Sequence, residues 1–156
     1  MKLNKDKGFT LIELLVVIAI IGLLSSVVLV AVYNARAKAR DAKRVSDMTR
    51  MVTAFELYQA TNRGYPVASP AGVPSDMIPS YIASLPTAPL PADTGCDTTN
   101  LTTGQPGNTY YYIPSGTSSV YNGATVYPDY AYYFCIGNKT GDLDPGVHYL
   151  TPKGIR

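Results

Sequence analysis

The apolar positions divide the chain. Residues 9–32 read FTLIELLVVIAIIGLLSSVVLVAV, and Glu13 is their only charge. As a helix this run rises about 36 Å at ~1.5 Å per residue, against a bilayer core of about 30 Å. It is long enough to cross a membrane with some tilt. A secretory signal peptide is the competing reading, but its apolar region is shorter, about 7–15 residues. An acid near the start of the apolar core is also out of place there. Small-x-small cleavage sites exist at Ala35-Arg36-Ala37 and Ala37-Lys38-Ala39, among basic residues.

The helix is predicted to run on past Val32. No Pro or Gly occurs between Leu23 and Arg63, and good helix formers fill the stretch. Val45, Met48, Val52, Phe55 and Tyr58 are spaced to share one helical face. Asn62-Arg63-Gly64-Tyr65-Pro66 then ends the helix, with Gly64 as its cap and Pro66 just beyond. A continuous helix over 9–61 is about 80 Å long. Its first half is apolar all round; its second half has one face to bury.

Beyond residue 65 the pattern changes to β. Residues 109–113, 120–121, 124–127 and 130–136 are short Tyr/Val/Ile runs of strand type, and 147–150 is a candidate last strand. Asn122-Gly123 between two of them signals a type I′ hairpin. Alternation puts Tyr130, Tyr132, Phe134 and Ile136 on one face of their strand. Residues 66–108 read as loop, with seven Pro from Pro70 to Pro106. The fold class is therefore α+β: a long N-terminal helix whose distal half packs on a small antiparallel sheet.

Charge and composition then exclude some classes. A formal net charge of +2 does not fit a strongly basic nucleic-acid binder, and no specific nucleic acid partner is evident. One His and two Cys are too few for a structural zinc site. No Gly-x-Ser-x-Gly, phosphate loop or other catalytic set accompanies His148, so no enzyme is expected. The basic residues Arg36, Lys38, Arg40, Lys43 and Arg44 cluster after the apolar run. They read either as partners for anionic headgroups or acidic neighbours, or as a solvated helix face.

A charged leader, MKLNKDK, precedes Gly8-Phe9-Thr10-Leu11-Ile12-Glu13-Leu14-Leu15-Val16-Val17. This closely resembles the class III signal of type IV pilins and type II secretion pseudopilins. The following segment, ARAKARDAKRVSDMTRMVTAFELYQATNRGYP, is similar to the helix end of major pseudopilins and some bacterial pilins. The resemblance implies the pilin fold and four parts: a cleaved leader (1–8), a transmembrane and assembly half-helix (9–32), an amphipathic half-helix (33–64) and a sheet head (65–156). It implies that a prepilin peptidase cuts between Gly8 and Phe9 and methylates the Phe9 amine. It implies that Glu13 pairs with a neighbouring subunit's amine during assembly. One departure from many type IV pilins is Val30, where a mid-helix Pro is common.

The function implied is a structural subunit: inserted in the membrane as a prepilin, processed, then polymerised through its N-terminal helix. A type II secretion pseudopilin and a minor pilin that binds a ligand at the filament tip are the alternatives. The implied partners are copies of itself, the prepilin peptidase, an inner-membrane assembly platform and membrane lipid before assembly. The implied location is single-pass in the cytoplasmic membrane, leader inside and head exported, then an extracellular or periplasmic filament. The positive-inside rule alone does not settle this, because both flanks of the apolar run are basic.

In an exported head, Cys96 and Cys135 are expected to form a disulfide. The chain-entropy model gives ~4 kcal/mol for a loop of about 40 residues. No cofactor is expected apart from a candidate Ca²⁺. Major pseudopilins bind calcium in a C-terminal loop, which makes Asp142 and Asp144 candidate ligands; the same residues are ordinary turn formers.

The leader–Gly–Phe–x₃–Glu arrangement generates one test. Mass spectrometry of the N-terminus of protein from its own host is expected to find a chain that starts at N-methylated Phe9. A mature chain starting at Ala37 or Ala39 defeats the expectation.

Overall fold

The computed structural model describes residues 8–96 and 108–156. Leader residues 1–7 fall outside them. Helix α1 spans Leu11–Asn62, so Phe9 lies before it. The chain forms two compact units, Met1–Arg36 and Ala37–Arg156.

In the second unit, strands β1 (Tyr111–Ser115), β4 (Asp129–Ile136), β5 (Gly146–Thr151) and β6 (Gly154–Ile155) pair in the order β1-β4-β5-β6. Strands β2 (Ser119–Tyr121) and β3 (Ala124–Val126) form a separate hairpin. All pairings are antiparallel. Asn122 and Gly123 both have positive φ, 49° and 82°, as a type I′ turn requires. β1 starts two residues later than its Tyr run suggests and takes in Pro114 and Ser115. Pro114 is tolerated because β1 is an edge strand.

The period-2 reading of β4 holds. Tyr130, Tyr132, Phe134 and Ile136 are all buried. They face Met48, Met51, Phe55 and Tyr58 of α1 in one apolar core with Tyr112 and Leu150. Phe55 is its centre. The rings of Tyr130, Tyr112, Tyr132 and Tyr65 lie 4.5, 5.2, 5.8 and 6.5 Å from it, by turns tilted, stacked and edge-on. The Tyr112 hydroxyl donates to the Pro66 carbonyl at 2.8 Å, so its polar tip is satisfied inside the core. Burial pushes the Tyr110 phenol well above its ordinary range, and the Asp47 carboxylate that accepts its proton at 2.9 Å adds to the effect.

The buried face of α1 also carries charge. Asp41, Arg44 and Asp47 are buried along with the apolar residues. Arg44, 1% exposed, donates through Nη1 to Asp41 and to Asp93, each at 2.6 Å, and through Nη2 to Asn108 Oδ1 at 2.8 Å. Arg40 Nε lies 3.1 Å from both Asp93 oxygens, and its Nη2 also pairs with Asp93. Lys43 pairs with Asp47 at 2.6 Å. So of the basic cluster, Arg40 and Arg44 are neither a solvated face nor headgroup ligands. Their acidic neighbours lie in the same chain, because a buried guanidinium needs a carboxylate beside it.

The helix end corrects the expected cap. The residue in the left-handed region is Arg63, φ 58°, not Gly64. The Arg63 guanidinium lies over the Tyr121 ring, 5.0 Å from its centroid. Gly64 is needed for space instead: a Cβ there would lie 2.8 Å from Val126 Cβ and 2.9 Å from the Tyr127 carbonyl oxygen. Backbone bonds between Tyr65 and Tyr127, 2.7 and 2.9 Å, hold the two segments at that distance. Gly64→Ala is therefore expected to destabilise the head by roughly 1–3 kcal/mol, the usual range for overpacking. Denaturant unfolding followed by near-UV dichroism of the tyrosines checks this; an unchanged midpoint contradicts it.

Candidate assembly site

The first unit presents apolar surface in every direction. Leu11, Ile12, Leu14, Leu15, Ile18, Leu23 and Val27 are all exposed, as are their neighbours through Val32. α1 is long and apolar enough here to cross a membrane, and none of that stretch is buried. Ser26 does not break the band, because its hydroxyl donates to the Leu23 carbonyl at 2.7 Å.

Gly8 and Phe9 lie next to each other ahead of the helix, and both are exposed. Glu13 lies in the first turn. Its carboxylate is engaged by Thr10, whose amide and hydroxyl donate to Oε2 at 2.8 and 2.7 Å. The Glu13 amide donates back to Thr10 Oγ1 at 3.3 Å. This is a capping box, Thr10 at the N-cap and Glu13 three residues on, which supplies partners at the start of the helix. Both Thr10 bonds fall on Oε2, while Phe9, Ile12, Val16 and Val17 line a shallow apolar notch around the same carboxyl group. Thr10 is the site residue that the sequence reading missed. Its signal was present, since Thr-x-x-Glu before an apolar run is the capping-box pattern.

The other candidates belong to the second unit. Cys96 and Cys135 are bonded, with Cα atoms 5.6 Å apart. Asp144 faces Lys139 at 3.2 Å, and its carbonyl lies 2.7 Å from His148 Nε2. Among the described residues no three His, Cys, Asp or Glu side chains converge as a metal site would need.

The comparisons agree with this geometry. Residues 3–29 match the family model described as the prokaryotic N-terminal methylation motif. The chain is 31% identical over 117 residues to the type II secretion system core protein G of Vibrio cholerae, covering 74% of this chain and 75% of that protein. It is 39% identical over 66 residues to the core protein G of Escherichia coli, covering 42% of this chain and 46% of the relative. It is 41% identical over 63 residues to the type IV wide pilus major component PilA4 of Thermus thermophilus, covering 40% and 48%. The chain thus spans just under half the length of these last two. No solved structure matches it. An apolar helix opened by a capped acid, and a helix-on-sheet head, are the architecture of a filament subunit of the pilin type. The chain belongs to the pilin and pseudopilin family.

Losing an N-cap side chain costs about 0.5–2 kcal/mol of helix stability. Thr10→Ala is therefore expected to fray the first turn of α1, with faster amide exchange at residues 11–14 in detergent micelles and no change in the head. Unchanged exchange there would show that the capping box is not holding the turn.

Proposed function

We propose that the chain is a structural subunit of a type IV pilus-like filament. It enters the membrane as a prepilin, is cut between Gly8 and Phe9 by a prepilin peptidase, is methylated on Phe9, and polymerises through residues 9–32. The leader is cytoplasmic and the head exported. The chain is not an enzyme. The observation that carries this reading is an apolar helix, exposed on every side, with a single carboxylate in its first turn.

Such a surface is unstable in water and must stay in lipid or enter a core. Once the subunit leaves the membrane, other copies of the same helix offer that core. Stacking them head to tail makes a heterologous, open-ended interface, and so a filament. Glu13 supplies the register. Inside a bundle an unpaired carboxylate is penalised, whereas one placed against a neighbour's Phe9 amine is compensated. The bond from Thr10 turns the carboxylate back toward the N-terminus of its own helix, where that amine must arrive.

A pseudopilin of a type II secretion system is the second reading. It is favoured by the Vibrio cholerae relative, whose similarity extends through three quarters of both chains. A pilus is recovered as sheared surface filament; a pseudopilus is short and stays in the periplasm.

Glu13→Ala and Glu13→Val are expected to leave the protein inserted, its head folded and cleavage at Gly8 largely intact. Filament yield is expected to fall more than roughly tenfold, since breaking a buried pair costs about 3–5 kcal/mol. Electron microscopy of sheared filaments is the measurement. Normal filament numbers would remove Glu13 as the register element.

A further inference from the structure

The basic cluster after the apolar run is smaller than its sequence suggests. Arg40 pairs with Asp93, Lys43 with Asp47, and Arg44 with Asp41 and Asp93. That leaves Arg36 and Lys38, both exposed, neither with an ion pair or hydrogen bond among the described residues. Tyr33, 65% exposed, closes the apolar band, and its hydroxyl has no partner among the described residues either. Arg36 follows Tyr33 by three residues in α1, so the two side chains are neighbours on one helical face. Both belong to the first unit. Lys38, two residues past Arg36, projects from the opposite side of the helix.

An unpaired cation and an unpartnered phenol at the end of an apolar helix suit one environment. A headgroup layer offers hydrocarbon to the tyrosine ring and water or phosphate oxygens to its hydroxyl. A guanidinium binds a phosphate through two parallel hydrogen bonds. The spacing agrees. Residues 14–32, between Glu13 and Tyr33, rise about 28 Å at ~1.5 Å per residue, against a hydrocarbon core of about 30 Å. With Tyr33 in one headgroup layer, Glu13 falls at the edge of the other, where a carboxylate costs less than at the bilayer centre.

We infer that Tyr33 and Arg36 form a site for the headgroup of an anionic phospholipid, and that this site fixes the depth of the apolar helix before assembly. Arg36 supplies the preference for negative charge, and Tyr33 the preference for the boundary. That depth keeps Glu13, and the Gly8–Phe9 bond ahead of it, out of the hydrocarbon. The inference rests on the membrane-inserted stage of the proposed function.

The chain contains no Trp, so Val32→Trp, one residue before Tyr33, gives the full-length protein a single fluorescent reporter. The protein is reconstituted in vesicles of phosphatidylcholine and phosphatidylglycerol in which one or the other lipid carries brominated chains. Phosphatidylglycerol is expected to occupy the reporter's surroundings roughly fivefold in preference to phosphatidylcholine. Bromines near the headgroup end of the chains are expected to quench more than bromines near the methyl end. Arg36→Gln is expected to abolish the lipid preference and Arg36→Lys to keep most of it. Arg50→Gln, at an exposed cation of the second unit, is expected to leave it unchanged. Tyr33→Ala is expected to lower the ratio of shallow to deep quenching. Equal quenching by the two lipids, or a preference that survives Arg36→Gln, overturns the inference and leaves membrane insertion standing. So does a preference that Arg50→Gln weakens as much. Stronger quenching by the deep bromines, or a ratio that Tyr33→Ala does not change, overturns the assigned depth. No quenching by either lipid overturns insertion itself and this inference with it.

Discussion

A helix that is apolar on every side cannot be left in water, and residues 11–32 of α1 are such a helix. Within that stretch the backbone is satisfied by the helix itself, the Ser26 hydroxyl is satisfied by Leu23, and the acid is turned onto Thr10. What remains is hydrocarbon. It can dissolve in lipid or pack against identical hydrocarbon, and these two environments correspond to the two stages of a pilin's life.

The distal part of α1 follows another rule. It buries one face, and Phe55 inside a shell of tyrosines sets what that face can accept. Tyrosine suits a small head. It fills volume like Phe, and its hydroxyl reaches a partner at the edge, as Tyr112 reaches Pro66 and Tyr110 reaches Asp47. The same face carries Asp41, Arg44 and Asp47 into the interior, which is costly unless each is paired. Carboxylates, cationic side chains, a tyrosine hydroxyl and backbone amides together meet that demand in a head with long loops.

The Thr10–Glu13 box links the two descriptions of the N-terminus. In the filament proposal Glu13 is an acid that receives a neighbour's amine; in the structure it is a helix cap. One carboxylate has two oxygens, and both Thr10 bonds fall on the same one. Both roles are therefore compatible in a single side chain.

The sequence alone determined much. The length and uniform greasiness of residues 9–32, the lack of helix breakers up to Arg63, the Asn122-Gly123 turn and the alternation of 130–136 are local signals, and local geometry obeyed them. The Gly8-Phe9 and Glu13 pattern placed the candidate site by resemblance, and Thr10 was legible beside it. Only the tertiary structure decided which charges are buried. Arg40 and Arg44 look like surface residues until Asp93, some fifty residues away in a featureless Pro-rich loop, is brought against them. It also decided the role of Gly64, which answers to Val126 and Tyr127 rather than to the helix it follows. Both depend on contacts between segments far apart in the chain. A periodic pattern reports the environment of a face; it does not report which distant residue arrives to meet it.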